Sequence, residues 1–359
     1  MQMNSSRIAR SVALSVVLAL AGVACGSDDE PTTTGGGGQA QLTGTLKGSG
    51  ATFPKAYYEV AIASFQEEQS GVTVEYAGGG SGTGRQNLQD QQVDFAGSDG
   101  LVKDEDKPKY KGGEFLYVPT VAAPITVSYN LSRVKDLVLD ADTIAKIFQR
   151  QITKWDDEAI KALNSGADLP GTDIVVAHRS DGSGTTENFT KYLVAAAPNT
   201  WTLKSGSTVE WPADTQAGNG NAGVASIVKD TEGAVGYVDL SDAKATGLQF
   251  ATVKNKAGKS VKPTLAGASA ALAGATVNPD LSYNPLNAEG DDAYPITAPT
   301  WILVYKNQTD KAKGEALKGF LEYIVTDGQD LAEAVDYAKL PDALQQKALA
   351  QLDNIVLPA

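Results

Sequence analysis

Three observations predict an α/β protein with helices packed on mixed sheets. Short runs rich in β-branched and aromatic residues recur, bounded by Gly, Pro, Asp or Asn: VTVEY (72–76), VDFAG (93–97), DIVVAH (173–178) and AVGYVDL (234–240). Between them lie stretches whose apolar residues fall at helical spacing. With 359 residues, 42% apolar and 20% charged, the chain is long enough for two lobes around a sizeable core.

At the N-terminus, Arg7 and Arg10 precede an uncharged apolar run, Ser11 to Ala24, that ends at Cys25. A basic n-region and a short h-region make residues 1–24 a secretory signal peptide. The run is too short to span ~30 Å of hydrocarbon. No later segment has the ~18 uncharged apolar residues that a span needs, so the remainder is expected to be soluble. Cys25 is the only cysteine, which excludes an internal disulfide and a Cys-based zinc site. Its position after Gly22-Val23-Ala24 and before a polar run resembles a bacterial lipoprotein processing site, with Cys25 lipidated as the mature N-terminus; ordinary cleavage beside an incidental cysteine is the alternative. Residues 25–42, including GSDDEPTTTGGGGQAQ (26–41), then read as a flexible tether.

The first helix is PKAYYEVAIASFQEEQSG (54–71), opened by Pro54, stopped by Gly71, and apolar at Tyr57, Val60, Ala61 and Phe65. FLYVPTVAAPITVSYN (115–130) is a long extended segment. Helices are expected at 142–149, 156–164, 186–197 and 222–229, and three more at 311–325, 329–339 and 342–353, broken by Gly328 and Pro341. There is no internal repeat.

The signal segment carries two of the 30 basic residues and none of the 43 acidic ones, so the mature chain has a net charge of −15. A duplex nucleic acid would be repelled, and no Lys/Arg-rich run offsets this. A small anion is repelled too, but that field is screened beyond ~8 Å at physiological salt, so local donors can prevail at contact range.

Four loops share one composition: GSGATF (48–53), GGGSGTGR (78–85), AGSDG (96–100) and RSDGSGTT (179–186). Glycines let successive N–H groups point inward, Ser and Thr add hydroxyls, and a following helix N-terminus adds about half a positive charge. Such loops bind anions; each taken alone also reads as an ordinary turn or N-cap. Nucleotide motifs are absent. No Gly-x-Gly-x-x-Gly occurs in residues 78–84, and Gly258-Lys259-Ser260 is preceded by Val253 where a phosphate loop has glycine. A serine hydrolase would need Ser183 activated by His178, the only histidine, five residues upstream at a strand end; Gly182-Ser183-Gly184 also lacks the nucleophile elbow. One His and one Cys leave no metal set.

At these residues the sequence resembles the phosphate-binding proteins of bacterial phosphate-specific ABC importers. The resemblance runs through Ala51-Thr52-Phe53-Pro54, Gly80-Ser81-Gly82, Ser98-Asp99 and Arg179-Ser180-Asp181-Gly182-Ser183-Gly184-Thr185. It continues in ITKWDDEAI (152–160), EGAVGYV (232–238), DDAYPIT (291–297) and DYAKLP (336–341), covering about residues 43–357. Gly100 stands where relatives often carry Ala. The resemblance implies a two-lobed periplasmic-binding-protein fold of type II, each lobe a mixed sheet flanked by helices. Lobe I would hold residues 43–124 and 298–359 and lobe II residues 125–297, joined by hinge strands near 122–127 and 296–301. It implies inorganic phosphate in the cleft, handed to membrane permease subunits, with no cofactor, no metal, no enzymatic activity, no nucleic acid and a monomeric protein outside the cell membrane, lipid-anchored or periplasmic. Its ligand contacts map onto Thr52, Phe53 (through its N–H), Ser81, Asp99, Arg179, Ser183, Gly184 and Thr185, with Asp181 holding the Arg179 fork. Another oxyanion such as sulfate, or a secreted phosphatase or esterase, are the competing readings.

Overall fold

The computed structural model describes residues 41–359; Cys25 and the signal segment lie outside them. The chain begins with β1 (Gly44–Gly50), α1 (Lys55–Glu68), β2 (Val72–Gly78), α2 (Ser81–Gln89) and β3 (Phe95–Ser98), then runs through the long β4 (Phe115–Tyr129). There follow β5 (Val138–Leu139), α3 (Ala141–Phe148), α4 (Glu158–Leu163), β6 (Val175–Arg179), α5 (Gly184–Ala196), β7 (Gln216–Gly218), α6 (Gly220–Asp230), β8 (Ala234–Asp239) and α7 (Leu240–Thr246). Three short strands, β9 (Gln249–Phe250), β10 (Thr252–Lys254) and β11 (Ser260–Val261), lead to α8 (Leu265–Ala273). The chain closes with β12 (Thr297–Tyr305), α9 (Lys311–Val325) and α10 (Asp342–Gln351).

The main sheet has the order β2-β1-β3-β12-β4-β8-β6-β7, with β9 also on β4. β1 pairs in parallel with β2 and β3, and β6 pairs in parallel with β7 and β8. The antiparallel strands β12 and β4 join these two parallel groups. Phe115 to Pro124 of β4 pair with β12, whereas Ile125 to Tyr129 pair with β8. One strand therefore belongs to both halves of the sheet, and the change of partner falls at Pro124–Ile125, within the crossover expected at 122–127. All of β12 and all of β4 beyond Leu116 are buried, which is why both read as continuous apolar runs rather than alternating ones. Helices cover the sheet through aromatic contacts such as Phe320 of α9 on Phe95 of β3 at 5.5 Å and the Phe189–Tyr237 stack at 4.4 Å.

The segment expected as a helix at 329–339 is different. Residues Asp327–Leu331 and Glu333–Val335 form two tight 3₁₀ turns, and Asp336 takes a left-handed φ of 70°. Ala338 then pairs with Ala122 of β4 through bonds of 2.8 and 3.2 Å. Leaving the helix early frees the Tyr337 hydroxyl to reach the Phe53 carbonyl at 2.6 Å. Tertiary pairing to β4 outweighs the local helical preference of DLAEAVDYA.

Candidate functional site

Both parallel groups end in loops, and most of those loops open a helix: β1 leads to α1, β2 to α2, β6 to α5, β7 to α6 and β8 to α7. In open α/β sheets ligands bind beyond the carboxyl ends of the strands, where such helix N-termini collect. Here the loops of the two groups touch. The Gly82 N–H donates to the Gly182 carbonyl at 2.8 Å, the Asn221 N–H donates to Thr52 Oγ1 at 3.3 Å, and Asn188 Nδ2 donates to the Asp99 carbonyl at 2.6 Å. Gly80, with φ of 88°, allows this approach: a Cβ there would overlap the Asp181 carboxylate and the Gly182 carbonyl. Gly184 does the same on the other side, since a Cβ would strike Ser81 and Asp99.

Arg179, the last residue of β6, has a side chain only 1% exposed. Its Nε and Nη2 donate to the two Asp181 oxygens at 2.8 and 2.5 Å, and Nη1 donates to Asn221 Oδ1 at 3.0 Å. Nη1 also donates to Thr185 Oγ1 at 3.4 Å, so of the five guanidinium donors only one, on Nη2, has no protein partner. That donor, together with the long Thr185 bond, is what the guanidinium has to offer an oxyanion. Asp181 also accepts from the Gly220 N–H at 3.1 Å. Burial raises its carboxyl, but the Arg179 hydrogen bonds and charge outweigh that and hold it below the ordinary range. Asn221, fully buried, is itself oriented by Asp239, to which its Nδ2 donates at 2.9 Å.

A second carboxylate, Asp99, is 2% exposed at the end of β3. Its Oδ1 accepts from Thr300 Oγ1 at 2.7 Å and its Oδ2 from Ser81 Oγ at 3.3 Å, while its N–H donates to Ser81 Oγ at 3.1 Å. Burial pushes its carboxyl up to about 7, against the lowering effects of Thr300, Arg179, Ser81 and Arg85. Ser81 is fully buried at the start of α2. Ser183 is the N-cap of α5 and accepts the Thr186 N–H at 3.1 Å. Its hydroxyl proton is thereby left to donate. His178 is not its base: the ring stacks on Trp211 at 5.0 Å, with Nδ1 2.9 Å from the Arg179 carbonyl and Nε2 3.0 Å from Thr215 Oγ1. Burial lowers its pKa further. Among the described residues no group of three or more His, Cys, Asp or Glu could hold a metal ion.

Direct contacts thus link Thr52 to Asn221, Ser81 to Asp99, and Arg179 to Asp181 and Thr185, and bring Ser81 and Asp99 against Gly184. Phe53 is fully buried and tied to Tyr337 through its carbonyl. Asn221 and Thr300 escape the sequence reading. For Asn221 a partial signal existed: GNGNAG (218–223) is glycine-rich like the four selected loops, with Asn where they have Ser and Thr, and it runs into α6. Thr300 carries no local signal, because only strand pairing brings it to Asp99.

A model of the PBP superfamily domain matches residues 35–328. The chain is 36% identical to the phosphate-binding protein PstS of Methanocaldococcus jannaschii, over 94% of this chain and 92% of the relative. It is also 36% identical to the PstS protein of Pasteurella multocida, over 86% and 89%. Among solved structures, a high-affinity periplasmic phosphate-binding protein bound with phosphate superposes with a TM-score of 0.72 at 24% identity, over 85% of this chain and 93% of that one. The phosphate-binding protein from Stenotrophomonas maltophilia gives 0.69 at 22%, over 86% and 93%. These two likenesses concern the fold.

Proposed function

The chain belongs to the phosphate-binding proteins of the PBP superfamily, and from that premise we propose that it binds inorganic phosphate where its strand-end loops meet and delivers it to an ABC importer. Lobe I is residues 43–124 and 298–359, lobe II is residues 125–297, and the cleft between them opens and closes about β4 and β12. The observation that carries this reading is the pairing of a buried guanidinium, fixed by Asp181 and Asn221 with one Nη2 donor uncommitted and one Nη1 donor held only by a long bond to Thr185, and a buried carboxylate, Asp99. A guanidinium fork alone suits any oxyanion. A carboxylate beside it suits only one that carries its own proton, as monobasic and dibasic phosphate do and sulfate does not.

In this reading Arg179 holds two phosphate oxygens. Ser81, Ser183, Thr185 and Thr52 donate hydroxyls, and the N–H groups of Phe53 and Gly184 donate at helix starts. Asp99 accepts the phosphate's proton. The protein performs no reaction: Ser183 is a cap and donor without a base. It is exported and works as a monomer, held to the membrane by acyl chains on Cys25 alone, which several chains on one terminus can sustain. Titration calorimetry tests the assignment. Phosphate should saturate one site per chain, sulfate should bind at least a hundredfold more weakly at pH 8, and a chromogenic phosphate ester should not turn over. Equal sulfate and phosphate affinities would defeat it, as would turnover abolished by Ser183→Ala.

A further inference from the structure

We propose that Thr300, on β12, is the positioning residue that keeps Asp99 ionised and so sets the pH range over which unprotonated oxyanions are rejected. This rests on the phosphate reading above.

Strand register brings the pair together. In the antiparallel β12–β3 ladder Trp301 faces Ser98, so one rung further Thr300 faces Asp99, immediately past the end of β3. On the other edge of β12 the register with β4 slips: Pro299 faces Ala122, yet Trp301 faces Pro119. Two β4 residues, Thr120 and Val121, therefore oppose the single Thr300, a bulge of the kind that re-aims side chains beside functional sites. The Thr300 carbonyl is held by Thr120 Oγ1 at 3.4 Å, and Tyr58 OH lies 3.3 Å from the same Thr120 hydroxyl. Thr300 itself is fully buried, and its hydroxyl donates to Asp99 Oδ1 at 2.7 Å, shorter than the Ser81 bond to Oδ2 at 3.3 Å.

A donor aimed at a carboxylate favours its charged form. The Thr300 hydrogen bond is the largest influence opposing the burial that raises Asp99. The other charged groups near Asp99 are Arg179 from β6 and Arg85 from α2; Arg85 is also paired with Glu187 of α5 at 3.5 Å. Tyr58, Tyr76 and Tyr337 face it as neutral phenols, their own ionisation suppressed chiefly by burial. An ionised Asp99 accepts the phosphate's proton and repels sulfate. A protonated Asp99 donates and ceases to discriminate.

The experiment measures phosphate and sulfate dissociation constants from pH 5 to 9 for the wild type, Thr300→Val and Thr300→Ser. In the wild type sulfate should compete at low pH and be rejected as Asp99 ionises. Valine keeps the shape and β-branching and removes the donor, and losing one hydrogen bond to a charged group should move the rejection midpoint up by roughly one to two pH units. Serine should return it. If the Val variant does not fold, Thr300→Cys, a weaker donor, should give a smaller shift in the same direction. Phosphate binding with a midpoint that superimposes on the wild type in both variants would overturn the inference alone, as would a uniform affinity loss at every pH that serine does not rescue. A wild type that binds no phosphate would overturn the functional reading and this inference with it.

Discussion

Arg179→Ala should separate two jobs that one side chain performs. The first is structural. The Arg179 and Asp181 side chains are 1% and 10% exposed, and without its partner Asp181 keeps only the Gly220 N–H at 3.1 Å. Breaking a buried pair from one side costs about 3–5 kcal/mol, which lowers the melting temperature by roughly 4–8 °C in a chain of this size. The second job, in the proposed function, is ligand contact. The uncommitted Nη2 donor and the Nη1 donor now on a long bond to Thr185 would supply up to two charge-assisted hydrogen bonds, each worth about 1.5–3 kcal/mol, so phosphate affinity should fall between about a hundredfold and ten-thousandfold. The double variant Arg179→Ala, Asp181→Ala removes the stranded carboxylate together with the cation. Calorimetry and thermal melts on all three proteins should show the double variant recovering most of the lost stability and none of the lost affinity. An affinity loss under tenfold in Arg179→Ala, or affinity restored in the double variant, would refute the assignment of Arg179 to the ligand.

Asp99→Asn should keep phosphate binding while sulfate becomes a measurable competitor at pH 8; undiminished sulfate rejection would remove Asp99 as selector. The same variant has a ligand-free signature. With Asp99 at about 7 in the fold and near 4 when unfolded, the folded state holds the proton more tightly, so its stability falls as pH rises from about 4 to about 7. Denaturant midpoints of Asp99→Asn should lose that component, and an identical pH slope would contradict it. Asn188→Ala removes the donor bridging Asp99 and Gly184 carbonyls at 2.6 and 3.0 Å; phosphate should leave up to about tenfold faster in stopped flow, and an unchanged off-rate would exclude this bond from holding the cleft shut. Cys25→Ala should move the protein from the membrane to the soluble fraction, and retention at the membrane would rule out lipid attachment there.

Residues that act through local chemistry were legible in the sequence, and residues that act through pairing were not. Arg179, Asp181 and Ser183 lie within one loop, which its composition marked as an anion cradle or cap; the resemblance implied the Asp181 brace, and the structure shows the Arg179–Asp181 pair and the α5 cap within a few positions. The strands at 115–129 and 234–239 and the helix at 311–325 were readable because their burial or periodicity is continuous along the chain. Thr300 was invisible because Asp99 is 201 positions away and only a strand register connects them. Residues 327–340 misled for a related reason: their helical composition is real, but Ala338 is captured by Ala122 and Tyr337 by Phe53. Asp239, buried beneath Asn221 with its pKa raised by burial and by Asp242, caps α7, a helix where the sequence reading has only the strand AVGYVDL (234–240).

The strand that changes partners at Pro124–Ile125 has a consequence for how the molecule comes apart. Because β4 contributes backbone bonds to both halves, neither half of the described residues can melt without stripping an edge from the other. Heat or denaturant should therefore disassemble the chain in one cooperative step. Amide exchange should be slowest at the centre of β4, with the strand-end loops exchanging long before it. In the proposed closure about β4 and β12 the segment that flexes is thus the one whose hydrogen bonds should exchange last, so ligand entry should twist that strand rather than open it.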